Sequence, residues 1–196
     1  MLVEEKLLER RTGLGTRIVA QKFGHNLDRL AGLAETLLGQ GIIRNHVRVV
    51  RWESASEGIA RRLGIGDGDQ VLFLERLRLL DGQPLSLDRS YLAADIGAAL
   101  LNEDLEHQDV FQLIETITTC PLGTAEFDVQ AINAEHAIAE VLDLAAGTAI
   151  FAIERLTRLA DGRAVDAETI QLRGDRIALT GILHRAAGPS PANDPA

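Results

Sequence analysis

Cysteine is nearly absent: Cys120 stands alone in 196 residues. No internal disulfide can form, and no thiolate metal cluster can be built. The five histidines, His25, His46, His107, His136 and His184, are scattered, and none lies four residues from another. A helical two-histidine metal motif is therefore excluded, and neither a metal nor a cofactor is expected. Long apolar runs are missing too. No uncharged stretch reaches the roughly 18 apolar residues that a helical membrane crossing needs, and Met1 is followed by Glu4 and Glu5 rather than by a signal core. A cytoplasmic protein with no membrane partner is the expectation. Catalytic signatures are also lacking. There is no Gly-x-Ser-x-Gly elbow, no Cys/His pairing near Cys120, and GLGT (13–16) lacks the Lys-Ser/Thr of a phosphate loop. GIGDGDQ (64–70) has too few oxygen ligands for a calcium loop and reads as a turn. No enzyme is expected from the residues alone.

Positive charge is scarce overall, with a net charge of −9, but it is not spread evenly. Within residues 1–22, Lys6, Arg10, Arg11, Arg17 and Lys22 outnumber Glu4, Glu5 and Glu9. Acidity argues against nucleic-acid binding only for the larger part of the chain. The basic segment reads as the end of a helix near Leu2–Leu7, then a β-hairpin turning at Thr12-Gly13-Leu14-Gly15, with a second strand over Thr16–Ala20. Leucines at 27, 30, 33, 37 and 38 predict an amphipathic helix over Asn26–Gly41. The tail from Ala186, rich in Pro, Ala and Gly, reads as disordered.

What is present in abundance is repetition. Ala55–Leu77 aligned with Ala134–Leu156 at a constant offset of 79 gives eight identities in 23 positions. Among them are Glu75/Glu154, Arg76/Arg155 and Leu77/Leu156. Each copy reads as a short helix (Ser56–Leu63; Ala134–Leu142), a glycine loop, a strand (Val71–Leu80; Ala149–Ala160), an Asp-Gly turn and a returning strand. Between the copies, Val110–Thr116 reads as a short helix and Ala125–Ala131 as a strand. The predicted class is α+β: an antiparallel sheet flanked by helices, preceded by a short basic hairpin.

Strand alternation puts Arg76 and Arg78 on one face of VLFLERLRLL, and Ser86, Asp88 and Ser90 on one face of the return strand. A three-residue loop over Asp81–Gln83 would pair Leu80 with Pro84, Arg78 with Ser86 and Arg76 with Asp88. Two readings of this patch stay open. It is a solvated strand face with weak cross-strand ion pairs, or a polar pocket whose forked guanidinium donors hold a carboxylate or phosphate. In the second copy Glu168 and Arg158 carry charge at related places, and Arg173 follows in LRGDRIAL.

These blocks, from GIARRLGIGDGDQVLFLERLRLLDGQPLSLDRSYL through DVFQLIE to AINAEHAIAEVLDLAAGTAIFAIERLTRLADGRAVDAE and RGDRIALTGILHR, resemble the UTRA effector-binding domain of GntR-type transcriptional regulators of the HutC-like branch. The resemblance covers about residues 40–185, and LLERRTGLGTRIVA is similar to the wing of the winged helix-turn-helix that precedes this domain. It implies a chorismate-lyase-like fold, a small-molecule effector and DNA as partners, and a homodimer. Its implied division is residues 1–22 as the wing, 23–185 as the effector-binding domain and 186–196 as the tail. Implied ligand-binding residues are Arg76, Arg78, Asp88 and Glu168, joined by Ser90, Asp109, Phe111 and Arg173. Asp109-Val110-Phe111 stands where some members carry hydroxyl groups for phosphorylated sugars, which speaks against a sugar phosphate. Arg10, Arg11, Gly13 and Arg17 are the implied DNA-contacting set. The alternatives are a lyase-like enzyme on this fold acting on an aromatic carboxylate, and a stand-alone ligand-binding module.

Overall fold

The computed structural model describes residues 8–11, 15–18, 22–37 and 39–182. The helix read at Leu2–Leu7, the turn around Gly13 and the tail lie outside the described residues.

The repeat organises the sheet. Strand β5 (Gln70–Leu80) returns as β6 (Gln83–Ala93), and β8 (Ala149–Leu159) returns as β9 (Ala164–Arg173). The two hairpins meet at β6 and β9, with Ser90 opposite Glu168 and Asp88 opposite Ile170. Each unit is also longer at its front than the identities indicate. Twelve-residue strands β4 (Ile43–Ser54) and β7 (Leu122–Asn133) precede the helices α2 (Glu57–Leu63) and α5 (His136–Val141) at the same 79-residue spacing. The result is one six-stranded antiparallel sheet in the order β4-β5-β6-β9-β8-β7, which bears out the expected fold class.

Local chemistry sets the elements. Ser56 caps α2 by accepting from the Ile59 amide at 3.4 Å, and Gly64 ends it with φ of 70°. Asp81 and Gly82, at φ 51° and 76°, close the first hairpin as a two-residue turn with both central residues left-handed. The expected three-residue loop is therefore wrong, and Leu80 pairs with Gln83 rather than Pro84. A bulge at the fully buried Leu85 takes up the difference, so Arg78 still faces Ser86 and Arg76 still faces Asp88. The second hairpin carries a matching bulge at Val165.

Both faces of the sheet are covered. Helices α2 and α5 pack on the face of Val71, Leu77, Leu87 and Ala167. On the opposite face, α3 (Ala94–Leu100) and α4 (Val110–Thr118) bury Leu72, Leu74 and Leu92 with Ile96, Leu113 and Ile114. Further along that face, Leu80, Leu85, Ile153 and Leu172 pack with Phe23, Leu33, Leu37 and Ile177.

The helix expected over Asn26–Gly41 is mostly not formed. The chain instead makes a strand β3 (Phe23–Asn26), an irregular stretch, and a single turn α1 (Leu33–Thr36). Backbone hydrogen bonds explain this. Strand β3 runs parallel to β10 (Ile177–Thr180), the Phe23 amide donates to Arg176 and the Leu27 amide to Thr180, each at 2.8 Å. Asn26 Oδ1 then accepts from the Asp28 amide at 2.6 Å, a local turn that competes with helix. The basic hairpin expected at the start corresponds to β1 (Leu8–Arg11) paired with β2 (Gly15–Ile18).

Candidate functional site

Between the two apolar clusters on the α3/α4 face lies a buried polar layer. Strand alternation builds it: Arg76 and Arg78 from β5, Ser86, Asp88 and Ser90 from β6, Arg155 and Thr157 from β8, Asp166 and Glu168 from β9. Arg76 is 1% exposed, Arg78 4% and Asp88 3%, so the solvated-face reading fails. Asp109, which caps α4 by accepting from the Phe111 amide at 2.9 Å, approaches from above, with Oδ2 3.9 Å from Arg78 Nη1. Gly32 makes room for that carboxylate: a Cβ there would lie 2.2 Å from Asp109 Oδ2.

The charges are only partly matched. Arg78 donates to Asp88, which also accepts from Ser86 Oγ at 2.6 Å, and Arg155 donates to Glu168. The Arg155 guanidinium stacks over Phe111, 4.6 Å from the ring centroid. Among the described residues, eight buried side-chain atoms have no hydrogen-bond partner, and seven are at this layer: His25 Nδ1, Arg76 Nη1, Arg78 Nη1, Asp109 Oδ2, Arg155 Nε, Thr157 Oγ1 and Asp166 Oδ1. Folded proteins leave few such atoms, and among the described residues they concentrate at this one place.

Electrostatics follow from burial. Burial opposes the charge on Asp88, yet Arg78, the Ser86 hydroxyl and Arg76 outweigh it and hold the carboxyl below its usual range. Burial is likewise overcome at Arg78, raised by Asp88, Asp109 and Glu168. Arg76 is lowered to about 10 by burial and by Arg78, and stays cationic at neutral pH. Asp166 goes the other way: burial, then the neighbouring Glu168 charge, push it up to about 8, so it holds a proton at pH 7. His25 is lowered to about 4 by burial, Arg155 and Arg78, and is neutral.

A cleft of about 270 Å³ lies beside this layer, roofed by residues 25–31 and floored by β7, β8 and β9. A smaller cavity of about 30 Å³ is lined by Arg78, Ser86 and Asp88. His25, Ile153, Arg155 and Ile170 line both.

The structure thus brings together Arg76, Arg78, Asp88, Ser90, Asp109, Phe111 and Glu168 of the expected set. It does not bring Arg173. That side chain lies on the other face of β9, bound to Asp175 at 2.7 Å and to the Leu142 carbonyl at 3.1 Å, where it ties α5 to the β9–β10 turn. Arg158 lies on the other face of β8 from Arg155, with Glu126 at 3.4 Å. Arg10, Arg11 and Arg17 lie on β1 and β2, and Gly13 falls outside the described residues. Sequence reasoning missed Arg155, Asp166, Thr157 and His25. Arg155 carried a usable signal, since it is the repeat partner of Arg76.

Comparison with known proteins agrees with this architecture. The chain is 26% identical over 186 residues to the HTH-type transcriptional repressor NagR of Bacillus subtilis, covering 94% of this chain and 76% of that one. It is 27% identical to the HTH-type transcriptional regulator Rv0792c of Mycobacterium tuberculosis, covering 94% and 69%. The crystal structure of PhnF from Mycobacterium smegmatis superposes with a TM-score of 0.83 at 24% identity, covering 94% of this chain and 81% of that one. The isolated effector domain of the same protein matches with a TM-score of 0.75 at 22% identity, covering 82% of this chain and 99% of its own length. The UTRA domain model matches residues 40–178, a span that holds all six strands of the sheet and the polar layer between its two arginine-bearing hairpins, and the chain therefore belongs to the UTRA domain family.

Proposed function

We propose that this chain is the effector-sensing part of a transcriptional regulator, which binds a small acidic or zwitterionic metabolite at the Arg78–Arg155 end of the polar layer and so controls DNA binding. One observation carries the reading: Arg78 and Arg155, each with a buried side-chain nitrogen that lacks a hydrogen-bond partner, line the cavities where the layer meets a cleft roofed by residues 25–31. That roof continues directly from β3, the segment that follows the basic hairpin in the chain. A ligand seated under it changes the position of the hairpin relative to the sheet, which is the two-state element allostery requires. The names of the relatives, repressor and regulator, support this reading over a lyase on the same fold.

In this reading the protein works as a cytoplasmic homodimer. Arg10, Arg11 and Arg17 contact DNA phosphates or the minor groove, and Gly13 belongs to the same DNA-contacting set. Among the described residues no helix is long and apolar enough to cross a membrane.

A thermal-shift screen of carboxylated and phosphorylated metabolites tests the proposal. The true effector at a hundred times its Kd adds about 2.7 kcal/mol, which is roughly 5–10 °C in Tm for a chain of this size. Arg78→Ala abolishes the shift. An Arg78→Ala protein that responds in full refutes the site assignment.

A further inference from the structure

We infer that the molecule taken up here is an amphipathic acid, with its acidic head at Arg155, Arg78 and His25 and an apolar body of about six to ten carbon atoms in the cleft. The inference rests on the sensor reading above and narrows its ligand class.

Three observations lead to it. First, the polar residues that line both cavities or the smaller one include Arg78, Arg155 and His25, and each has a buried side-chain nitrogen without a hydrogen-bond partner: Arg78 Nη1, Arg155 Nε and His25 Nδ1. Asp88 also lines the smaller cavity, but it is occupied by Arg78 and Ser86. A head rich in acceptors fits there, and a cationic one does not. Second, the rest of the cleft is largely hydrocarbon. Leu27 and Leu30 come from the roof, Phe127 and Val129 from β7, Ile153 and Ile170 from the floor. Among the charged groups of the roof, Asp28 Oδ1 accepts from the Ile182 amide at 2.5 Å, and the exposed Arg29 pairs with Glu35. A polyhydroxylated body would leave its hydroxyls without partners against those side chains, at a penalty that apolar carbons escape. Third, the volume is right. An apolar cavity of about 150 Å³ accepts a benzene ring, so the 270 Å³ here holds one ring or a short chain together with its head.

The pH behaviour of His25 supports the placement. Burial and the two arginines keep it neutral. An anion bound between them relieves the repulsion and raises its proton affinity, so binding takes up protons at mildly acid pH.

Calorimetric titration of the full chain tests the inference, with acetate, butanoate, hexanoate, phenylacetate and phenyl phosphate as probes and with glucose 6-phosphate and inorganic phosphate as polar controls. Affinity is expected to rise about fourfold for each methylene added from butanoate to hexanoate. Phenylacetate against phenyl phosphate decides which acidic head is preferred. Leu30→Ser weakens hexanoate about tenfold, since it removes one leucine side chain from the cleft lining, and Val129→Thr weakens it as well while keeping the side-chain shape. A flat series, or glucose 6-phosphate or phosphate binding more tightly than every apolar acid, overturns the inference. If those polar controls bind and Arg78→Ala abolishes their binding, the sensor reading stands while the apolar ligand class falls. If no probe binds at millimolar concentration, the ligand class falls too, and the metabolite screen judges the sensor reading separately.

Discussion

Asp88→Ala is expected to destabilise the chain by about 3–5 kcal/mol, because it strips a buried guanidinium of its main partner. Arg78 is 4% exposed and bonded to Asp88. The loss appears in a urea titration as a lower midpoint at unchanged slope. In a heating scan it corresponds to roughly 6–20 °C, at about 2–4 °C per kcal/mol for this size. The paired replacement Arg78→Met with Asp88→Leu restores most of that stability, since apolar pairs of similar volume replace buried ion pairs at little penalty. It does not restore any response to the effector. A single Asp88→Ala variant within about 1 kcal/mol of wild type would mean that Arg78 is compensated by Asp109, the carboxylate 3.9 Å away.

The second large effect is a pH dependence with an unusual sign. Asp166, 1% exposed, is pushed up to about 8 by burial and by Glu168. Its folded form therefore keeps a proton that the unfolded form has lost. Between the ordinary carboxyl range and pH 8 the native state binds more protons than the unfolded state, so stability falls as pH rises. By pH 7 the opposing contribution is on the order of 4 kcal/mol. Asp166→Asn, neutral at every pH and nearly the same shape, is expected to be more stable than wild type at pH 8 and to flatten the decline. His25 works against this below its usual range. Lowered to about 4, it favours the unfolded state as pH falls from 6.5 to 4. The Asp166 effect is therefore read between pH 6.5 and 8, where His25 is silent, by following Tm of wild type and Asp166→Asn in parallel. A wild-type Tm that is level or rising across that window contradicts the buried, protonated assignment.

Much of this site was legible from alternation alone. Arg76 and Arg78 share one face, as do Ser86, Asp88 and Ser90, and the bulge at Leu85 brings the two sets together by correcting the register that the two-residue turn would have shifted. What alternation does not tell is which face is covered. Here both are, one by α2 and α5 and the other by α3, α4 and residues 23–37, so the arginine face looked as fit for water as for burial. The pairing of the repeat pointed to Arg155 as the partner of Arg76, but its environment depends on Phe111 and Glu168, which the chain brings from two other elements. Asp166 reads as an ordinary exposed carboxylate two residues from Glu168, and only the packed sheet makes it a buried acid.

The misread segments have physical causes as well. Strand β4 escaped notice because it is an edge strand with Arg44, Arg48 and Arg51 at uneven spacing and a bulge between Val47 and Val49. The leucines from 27 to 37 carry a helical period, yet the backbone of β3 satisfies its hydrogen bonds on β10, and Leu27 and Leu30 line the cleft. Tertiary pairing won over local periodicity at the segment that roofs the site.

The central claim is that the polar layer receives a ligand at its open end. Arginine side-chain 15N–1H spectra of the labelled chain, titrated with phenylacetate, address it most directly. The account predicts a saturable change in the Arg155 Nε–H signal, absent in Arg155→Gln, as the unpaired donor gains an acceptor. Saturable binding that leaves the Arg155 and Arg78 signals where they were would contradict it.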